Sequence, residues 1–310
     1  MGHLTTGIIS RVWFIAETNY GGGVAGIKYA KTPAPAVDSL ASVNVMSSTG
    51  NYKAKKFKRK RWTAPGVALG KGVLFTKNVE FPEVEFTYAL QTLADPFFVA
   101  SKGGTKGTTG TSFMLQVSVP DETEAATIKY YNLFGCQITS YNVKGGFDTD
   151  DPPLVTVKFI CFDMVLSANA GADLAQTGVW PTGVINEWDD MAVDLDGDTI
   201  DQLKSIDLNI INKYNEIKVG GSGTFTKIDS VLVDKTIEYK IEFFKDIAEL
   251  LIDTFTEAIN LFIATWTDGT NTLSVTNCYS DEDNYMQIEN TEAKAMEYSI
   301  TVKSGDSVFT

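Results

Sequence analysis

The sequence is poor in the residues that catalysis and metal binding use most. Its 310 residues include one histidine, His3, and three cysteines, Cys136, Cys161 and Cys278, with no CxxC pair. These shortages exclude a His-centred metal site, a Ser-His-Asp triad and a Cys-His pair, and they remove the commonest general base. We therefore expect no catalytic residues, no metal site and no cofactor. We expect the cysteines to be buried small apolar side chains rather than a disulfide framework.

Long apolar runs are also missing. No run approaches the roughly 20 residues that a membrane-spanning helix needs. The beginning of the chain lacks the basic start, apolar stretch and small-residue cleavage site of a secretory signal. We therefore expect a chain that folds in a cytoplasm and does not contact a membrane.

Charge is unevenly distributed along the chain. Residues 1 to 186 hold 17 Lys and Arg against 14 Asp and Glu, whereas residues 187 to 310 hold 9 against 25. The first part thus has a net charge of +3 and the second a net charge of −16. Such asymmetry usually concerns partners, and the acidic part would repel nucleic acid over much of its surface.

What the sequence does contain is a repeat. A downstream match has a spacing of 150 residues: Val67, Leu69, Gly70, Phe75, Thr76 and Lys77 correspond to Ile217, Val219, Gly220, Phe225, Thr226 and Lys227. An upstream match has a spacing of 163 residues: Asp38, Leu40, Ser42, Val43 and Val45 correspond to Asp201, Leu203, Ser205, Ile206 and Leu208. The difference predicts an insertion of about 13 residues in the first copy, within residues 46–66.

Most of the chain has the composition and alternation of β-strands. Candidate strands in the first copy cover residues 39–46, 67–77, 79–88, 112–119, 127–143 and 154–166. Each copy is predicted to have one helix, a short one near Pro96 and a longer one with an apolar stripe over residues 244–262. We predict a mainly β chain of two tandem β-sandwich or barrel domains with one flanking helix each, 1–166 and 201–310, joined by a connector over 167–200.

A basic segment lies in the predicted loop 46–66. Its residues are Lys53, Lys55, Lys56, Phe57, Lys58, Arg59, Lys60, Arg61 and Trp62. Clustered basic charge with interleaved aromatics is typical of nucleic-acid sites. The same segment fits a solvated loop between strands, or a contact arm that docks on an acidic neighbour.

An acidic neighbour occurs in the connector. Its carboxylates are Glu187, Asp189, Asp190, Asp194, Asp196, Asp198 and Asp201. The spacing of Asp194, Asp196 and Asp198 matches the first three ligands of an EF-hand, but the glycine comes too early and Ser205 stands where a bidentate glutamate is needed. These residues favour an acidic surface that receives the basic arm, and they disfavour an ion site.

The phrase SRVWFIAETNYGG, with Arg11, Glu17, Thr18, Tyr20 and Gly21, resembles the opening of phage and prophage tail tube proteins. The predicted β domain with one helix and a long loop between its first strands is also similar to that family. The repeat corresponds to the double-domain kind of tail tube protein. The second copy lacks the long basic loop, so the two copies are not expected to make the same contacts between rings.

This resemblance implies a structural role without catalysis. Three chains would close a pseudo-hexameric ring, and rings would stack into a hollow tail tube in the virion. The basic loop would reach the adjacent ring, and an acidic lumen would let DNA pass without specific binding. Implied partners are further copies of the chain and the tail terminator, tail tip and tape measure proteins.

Two other function classes remain open at the level of sequence. One is a carbohydrate- or receptor-binding β-sandwich of a tail tip or adhesin, with a platform formed by Trp13, Trp62, Trp180, Trp188 and Trp266. The other is an enzyme, which the missing histidines and metal spacings disfavour.

Overall fold

The structure is a computed structural model that describes the greater part of the β-structure. It covers residues 11–17, 41–43, 51–53, 56–62, 73–80, 82–90, 96–102, 104–108, 110–120, 128–147, 151–167, 191–195, 197–200, 203–221, 224–245, 262–267, 272–280 and 296–304. The body of the predicted second helix, residues 246–261, and most of the predicted connector lie outside these residues.

The described elements are one short helix and seventeen strands. The first half of the chain contains β1 (Arg11–Ala16), β2 (Ala41–Val43), β3 (Asn51–Lys53), β4 (Lys56–Trp62), β5 (Val73–Glu80), β6 (Glu83–Ala89), α1 (Pro96–Ser101), β7 (Phe113–Pro120), β8 (Ile128–Gly146), β9 (Leu154–Ile160) and β10 (Asp163–Ser167). The second half contains β11 (Ala192–Leu195), β12 (Asp198–Ile200), β13 (Leu203–Gly221), β14 (Thr224–Lys245), β15 (Phe262–Thr267), β16 (Thr272–Ser280) and β17 (Met296–Ser304).

These strands confirm the prediction of a mainly β chain. Fifteen of them form one sheet, and β4 and β5 form a separate pair. Pro96 is the first residue of α1, where its missing N–H is no loss, as the sequence predicted. Closure of each half into a barrel or sandwich stays a prediction.

The two halves pair their strands in the same order. In the first half the hydrogen-bonded order is β2-β1-β7-β8-β9-β6, and in the second half it is β12-β11-β15-β16-β17-β14. The strands of both series also follow one another along the chain in the same sequence. The halves are joined where β13 pairs with β8, and we call this junction the seam.

The core lies on one face of the strands next to the seam. The predicted alternation is confirmed in β6, where Val84, Phe86 and Tyr88 are buried, and in β9, where Val155 and Val157 are buried. One cluster of buried side chains includes residues of both halves. Cys136, Cys161 and Cys278 are buried free thiols, as expected.

The basic segment corrects the prediction of a long loop over 46–66. Residues 51–53 are strand β3, which pairs with β6, and residues 56–62 are strand β4, which pairs with β5. Charged residues can form strands, because strand preference depends more on context than on residue type, and β4 and β5 pair only with each other.

The second half has a matching ribbon at the outer end of β13 and β14. Both ribbons contain a bulge four residues before the outgoing strand ends, after Lys58 and after Ile217. The connections differ in length, because β4 and β5 are separated by residues 63–72, whereas β13 and β14 are separated by residues 222 and 223. The extra length therefore lies mostly beyond the basic strand rather than in it.

Candidate functional site: the seam and the polar face

The seam is an antiparallel pairing of seven residues. Ser205 to Ile211 of β13 lie opposite Gly146 to Ser140 of β8. Asn142 Nδ2 donates hydrogen bonds to Asp207 Oδ1 at 2.5 Å and to the Leu208 carbonyl at 3.2 Å, and Ser140 Oγ donates to Asn209 Oδ1 at 3.4 Å. Backbone and side-chain hydrogen bonds together fix the register between the halves.

An apolar row of residues crosses the seam on its core side. Six directly opposed residues, one from each strand of the series β6-β9-β8-β13-β14-β17, form this row and are all buried: Tyr88, Val155, Val143, Leu208, Tyr239 and Val302. Because opposed side chains in a sheet pack directly against each other, the two halves share one continuous layer of core.

The neighbouring row on the opposite face is polar throughout. It consists of Thr87, Thr156, Asn142, Asn209, Glu238 and Lys303, all partly exposed. We call this side of the six strands the polar face. Side-chain period two therefore separates a buried face from a hydrated one across these six strands.

The polar face carries charges of both signs that pair with each other. Lys158 Nζ lies 3.0 Å from Glu85 Oε2, and Lys240 Nζ lies 2.8 Å from Glu242 Oε1. The hydrogen bond from Lys240 lowers the pKa of the Glu242 carboxyl, and a 2.9 Å hydrogen bond from Ser205 Oγ adds to this effect. The face is thus polar without a strong excess of one charge.

A groove of about 590 Å³ runs along the polar face beside the seam. Its charged lining balances three lysines against three acids, Lys144, Lys204, Lys240, Asp151, Asp207 and Glu242. The resemblance to tail tube proteins implied an acidic lumen, which the net charge of the second half was suited to supply. Most acidic residues of that half lie outside the described residues, and the described groove has no such excess.

The loop after α1 fastens the first half to the ribbon of the second half. Gly107 N donates to the Leu232 carbonyl at 2.8 Å, Leu232 N to the Thr108 carbonyl at 3.0 Å, and Gly110 N to the Ser230 carbonyl at 3.1 Å. A Cβ on Gly110 would lie 2.4 Å from Tyr214 Cε1, so the close approach requires glycine.

Two side chains of β13 and β14 bind the carboxyl end of α1. Asn212 Nδ2 donates to the Ser101 carbonyl at 2.9 Å and to the Ile138 carbonyl at 3.1 Å, and the opposed Lys235 Nζ donates to the Lys102 carbonyl. Burial, assisted by the charge of Lys102, lowers the pKa of Lys235 to about 8. These contacts give the halves a second attachment besides the seam.

Glu17 of the sequence phrase ET has a structural role. Its carboxylate accepts hydrogen bonds from Ser112 Oγ at 2.7 Å and from Gly135 N at 3.0 Å. Gly135 has a φ of 58°, which glycine adopts without strain. Glu17 thus connects the end of β1 to the residue before β7 and to the irregularity in the β7–β8 register at Gly135.

The predicted contact residues lie in strands that do not pair with each other. Strand β3 contains Lys53 and strand β4 contains Lys56 to Trp62, and Lys55 lies outside the described residues. Of the acidic set, Asp194 is in β11 and Asp198 in β12, and the others lie outside: Glu187, Asp189, Asp190, Asp196 and Asp201. Strand β3 pairs with β6 and β4 with β5, whereas β11 pairs with β12 and β15, so backbone pairing does not join the two sets in the described part of the chain. Their role in contacts between copies stays a prediction.

The segment with calcium-like spacing forms a tight hairpin turn. Leu195 pairs with Asp198, Gly197 has a φ of 95°, and the Gly197 N donates to Asp194 Oδ1 at 2.8 Å. The Asp194 carboxylate therefore holds a turn. No group of three or more metal-ligating side chains occurs in the described part of the chain.

The tryptophan platform is contradicted at one position. Trp266 in β15 is fully buried and belongs to the core cluster, so it cannot present its ring to a sugar. Trp13 and Trp62 are in β1 and β4, and Trp180 and Trp188 lie outside the described residues.

Sequence reasoning missed the polar residues of the seam and the attachment at α1. Asn142 and Asp207 stand in strands as ordinary polar members of an alternating pattern, whereas Asn212 occupies the buried register of Ile206, Leu208 and Ile210 and was a signal for a buried polar contact. A second signal was the length of β8, 19 residues, because β7 pairs with it only up to Cys136 and the rest of that edge needs another partner.

No family model matches the sequence, and no curated protein matches it. Solved structures that match include a chain of the cryo-EM structure of the anti-feeding prophage (AFP) baseplate, 6-fold symmetrised. The identity is 8%, the TM-score is 0.36, and the match covers 52% of this chain and 93% of that one. A match of this quality assigns no function. In the described part of the chain no helix is long and apolar enough to span a bilayer.

Proposed function

We propose that the chain is a structural subunit of a phage-like tail. Copies of it would join edge to edge into trimeric, pseudo-hexameric rings, and the rings would stack into a hollow tube for DNA. The observation that carries the proposal is the identical strand order of the two halves, together with their edge-to-edge junction at the seam.

The identical strand order supports the interpretation of the repeat as a duplicated domain. A junction between two equivalent units inside one chain is a pattern that neighbouring chains can repeat. Because the junction is head to tail, its repetition closes a ring or propagates as a filament. Three chains with two units each would give six units around the ring.

The two faces of the six strands around the seam suggest how such a ring would be oriented, with the polar face toward the lumen. The apolar face is buried within the chain, whereas the polar face stays hydrated and carries paired charges of both signs. A lumen lined in this way would offer DNA few unpaired cations to bind its phosphates. Passage without specific binding is therefore proposed to depend on charge balance at this face.

Two further parts of the proposal rest on the resemblance of the N-terminal phrase. The proposed location is the virion tail, with assembly in the host cytoplasm. The proposed partners are the tail terminator, tail tip and tape measure proteins. The balanced groove and the buried Trp266 give no specific support to carbohydrate or receptor binding.

Negative-stain electron microscopy and sedimentation velocity of the purified chain test the proposal. We expect rings or hollow tubes and a sedimentation coefficient that increases with concentration. In the variant Gly110→Trp, the new side chain would displace the loop that fastens the halves. We expect this variant to form fewer rings than the unchanged chain at the same protein concentration. A monodisperse monomer at every concentration would overturn the proposal.

A further inference from the structure

Two of the three cysteines lie next to each other in the core. Cys136 Sγ and Cys161 Sγ are 3.4 Å apart, and both side chains are fully buried. Neither forms a disulfide in this structure. The third cysteine, Cys278, is in the other half, where its Sγ donates to the Val275 carbonyl at 3.2 Å.

The neighbouring strand pairs place the two cysteines across from each other. Gln137 pairs with Ile160, and beyond the cysteines Phe134 pairs with Asp163. Cys136 and Cys161 lie between these pairs, where the ladder is interrupted, and their Sγ atoms meet at 3.4 Å. A disulfide requires an S–S distance of about 2.05 Å, so the two sulfur atoms have to approach by roughly 1.4 Å.

The backbone around the pair provides room for adjustment. Cys161 lies in the two-residue interval between β9 and β10, and Cys136 follows Gly135, which has a positive φ of 58°. A break in a ladder opens locally at lower cost than the middle of a strand. Because both thiols are fully buried, oxidation requires this interval to open locally.

We propose that Cys136 and Cys161 are a redox site that a low-molecular-weight disulfide oxidises to an intramolecular disulfide. The thiolate of one cysteine attacks a sulfur of the reagent, forms a mixed disulfide and releases one small thiol. The thiolate of the other cysteine attacks the protein sulfur of that intermediate, forms the Cys136–Cys161 bond and releases the second small thiol. The two cysteine protons end on the two released thiols, so the protein loses two electrons and the reagent gains two.

The bond would link β8, at its register shift, to the junction of β9 and β10. It would close a loop of 25 residues, which restricts the unfolded chain. The reduced chain folds without the bond, because the thiols already fit as buried small side chains. The site is thus expected to strengthen a finished fold rather than to direct folding.

Oxidised glutathione added to the full, previously reduced chain tests the site. After denaturation and alkylation, mass spectrometry should show a fall from three alkylated cysteines to one, and peptide mapping should link Cys136 to Cys161. The melting temperature of the oxidised chain should rise by on the order of 5 °C. Dithiothreitol should reverse both changes.

Three variants separate this site from general oxidation. Cys278→Ala should still form the bond, whereas Cys136→Ala and Cys161→Ala should keep their remaining thiols or form only glutathione adducts. Peptide mapping of the wild-type chain decides the question even if a variant folds poorly. Three alkylated cysteines at every glutathione ratio, or a disulfide that includes Cys278, would overturn the proposal.

Discussion

Single polar residues in the core decide how the two halves are fastened. Asn212 is 2% exposed and is the donor to two carbonyls, those of Ser101 and Ile138. A buried carbonyl that loses its donor costs free energy comparable to its desolvation. Asn212 therefore contributes to the attachment between the two halves.

We expect Asn212→Ala to lower the free energy of unfolding by about 2 kcal/mol, since two buried carbonyls lose their donor. Chemical denaturation followed by circular dichroism measures the change. The control is Asn209→Ala, because Asn209 is partly exposed and accepts one 3.4 Å hydrogen bond. Equal losses in the two variants would contradict this account of the α1 attachment.

Lys235 gives the stability a specific pH dependence. Its pKa is lowered to about 8 in the folded chain from a usual value of 10.5, mainly by burial. Between these values the unfolded chain binds more protons than the folded chain, so stability should rise as pH increases above about 8. Burial raises the pKa of Tyr214 and Tyr239, which reverses the trend above about pH 10.

Denaturation midpoints measured at intervals from pH 7 to pH 10 should therefore increase. Lys235→Met keeps most of the side-chain volume and removes the titrating group, so its midpoints should lack this increase. An unchanged slope in the variant would assign the effect to another group.

At the scale of elements, local sequence patterns predicted the strands and the helix start that depend mainly on neighbouring residues. The alternation of Val155 and Val157 identified β9, and Pro96 identified the start of α1. The seam was not predictable in the same way, because β8 and β13 lie far apart in sequence and their pairing depends on complementary edges. The Cys136–Cys161 approach likewise follows from register, which periodicity does not encode.

The basic strand β4 shows a different limit of sequence reasoning. Its charge predicted a loop, yet Lys56 to Trp62 pair residue by residue with β5. A high density of charged residues indicates that a segment is not part of the core. It does not indicate whether the backbone of the segment is paired in a strand. The predicted contact role of the segment is independent of this correction.

We expect Glu substitutions at Lys55, Lys56, Lys58 and Arg59 to block stacking of rings and to leave the fold of each half intact. Repulsion from the acidic set would replace attraction. Electron microscopy counts stacked rings, and circular dichroism checks the fold. Lys substitutions at Glu187, Asp189 and Asp190 should restore stacking in the combined variant. Normal tubes formed by the Glu variant alone would refute the docking role.

At the scale of the whole molecule, the halves share one sheet and one core cluster. The row through Val143 and Leu208 crosses the seam without a polar interruption. The sequence repeat predicted two units, but it gave no indication that they would be continuous. Continuity follows from matched registers that exist only after both halves have formed.

We expect the two halves to unfold together in a single transition. Hydrogen exchange in β9 and in β17 should show the same denaturant midpoint. Leu208→Ala should lower the free energy of unfolding by about 2 to 5 kcal/mol and should shift both midpoints equally. Earlier loss of protection in β17 alone would show that the halves are independent.

The seam also makes the molecule mechanically anisotropic. Its ladder hydrogen bonds run perpendicular to β8 and β13 over seven paired residues. A force along the strands loads all of these bonds at once, in shear, whereas a force across the strands opens them one after another from one end. Tension along the strand direction is therefore resisted by the whole seam, and a much smaller pull at right angles, applied at the Ser205 end, is enough to begin peeling the halves apart.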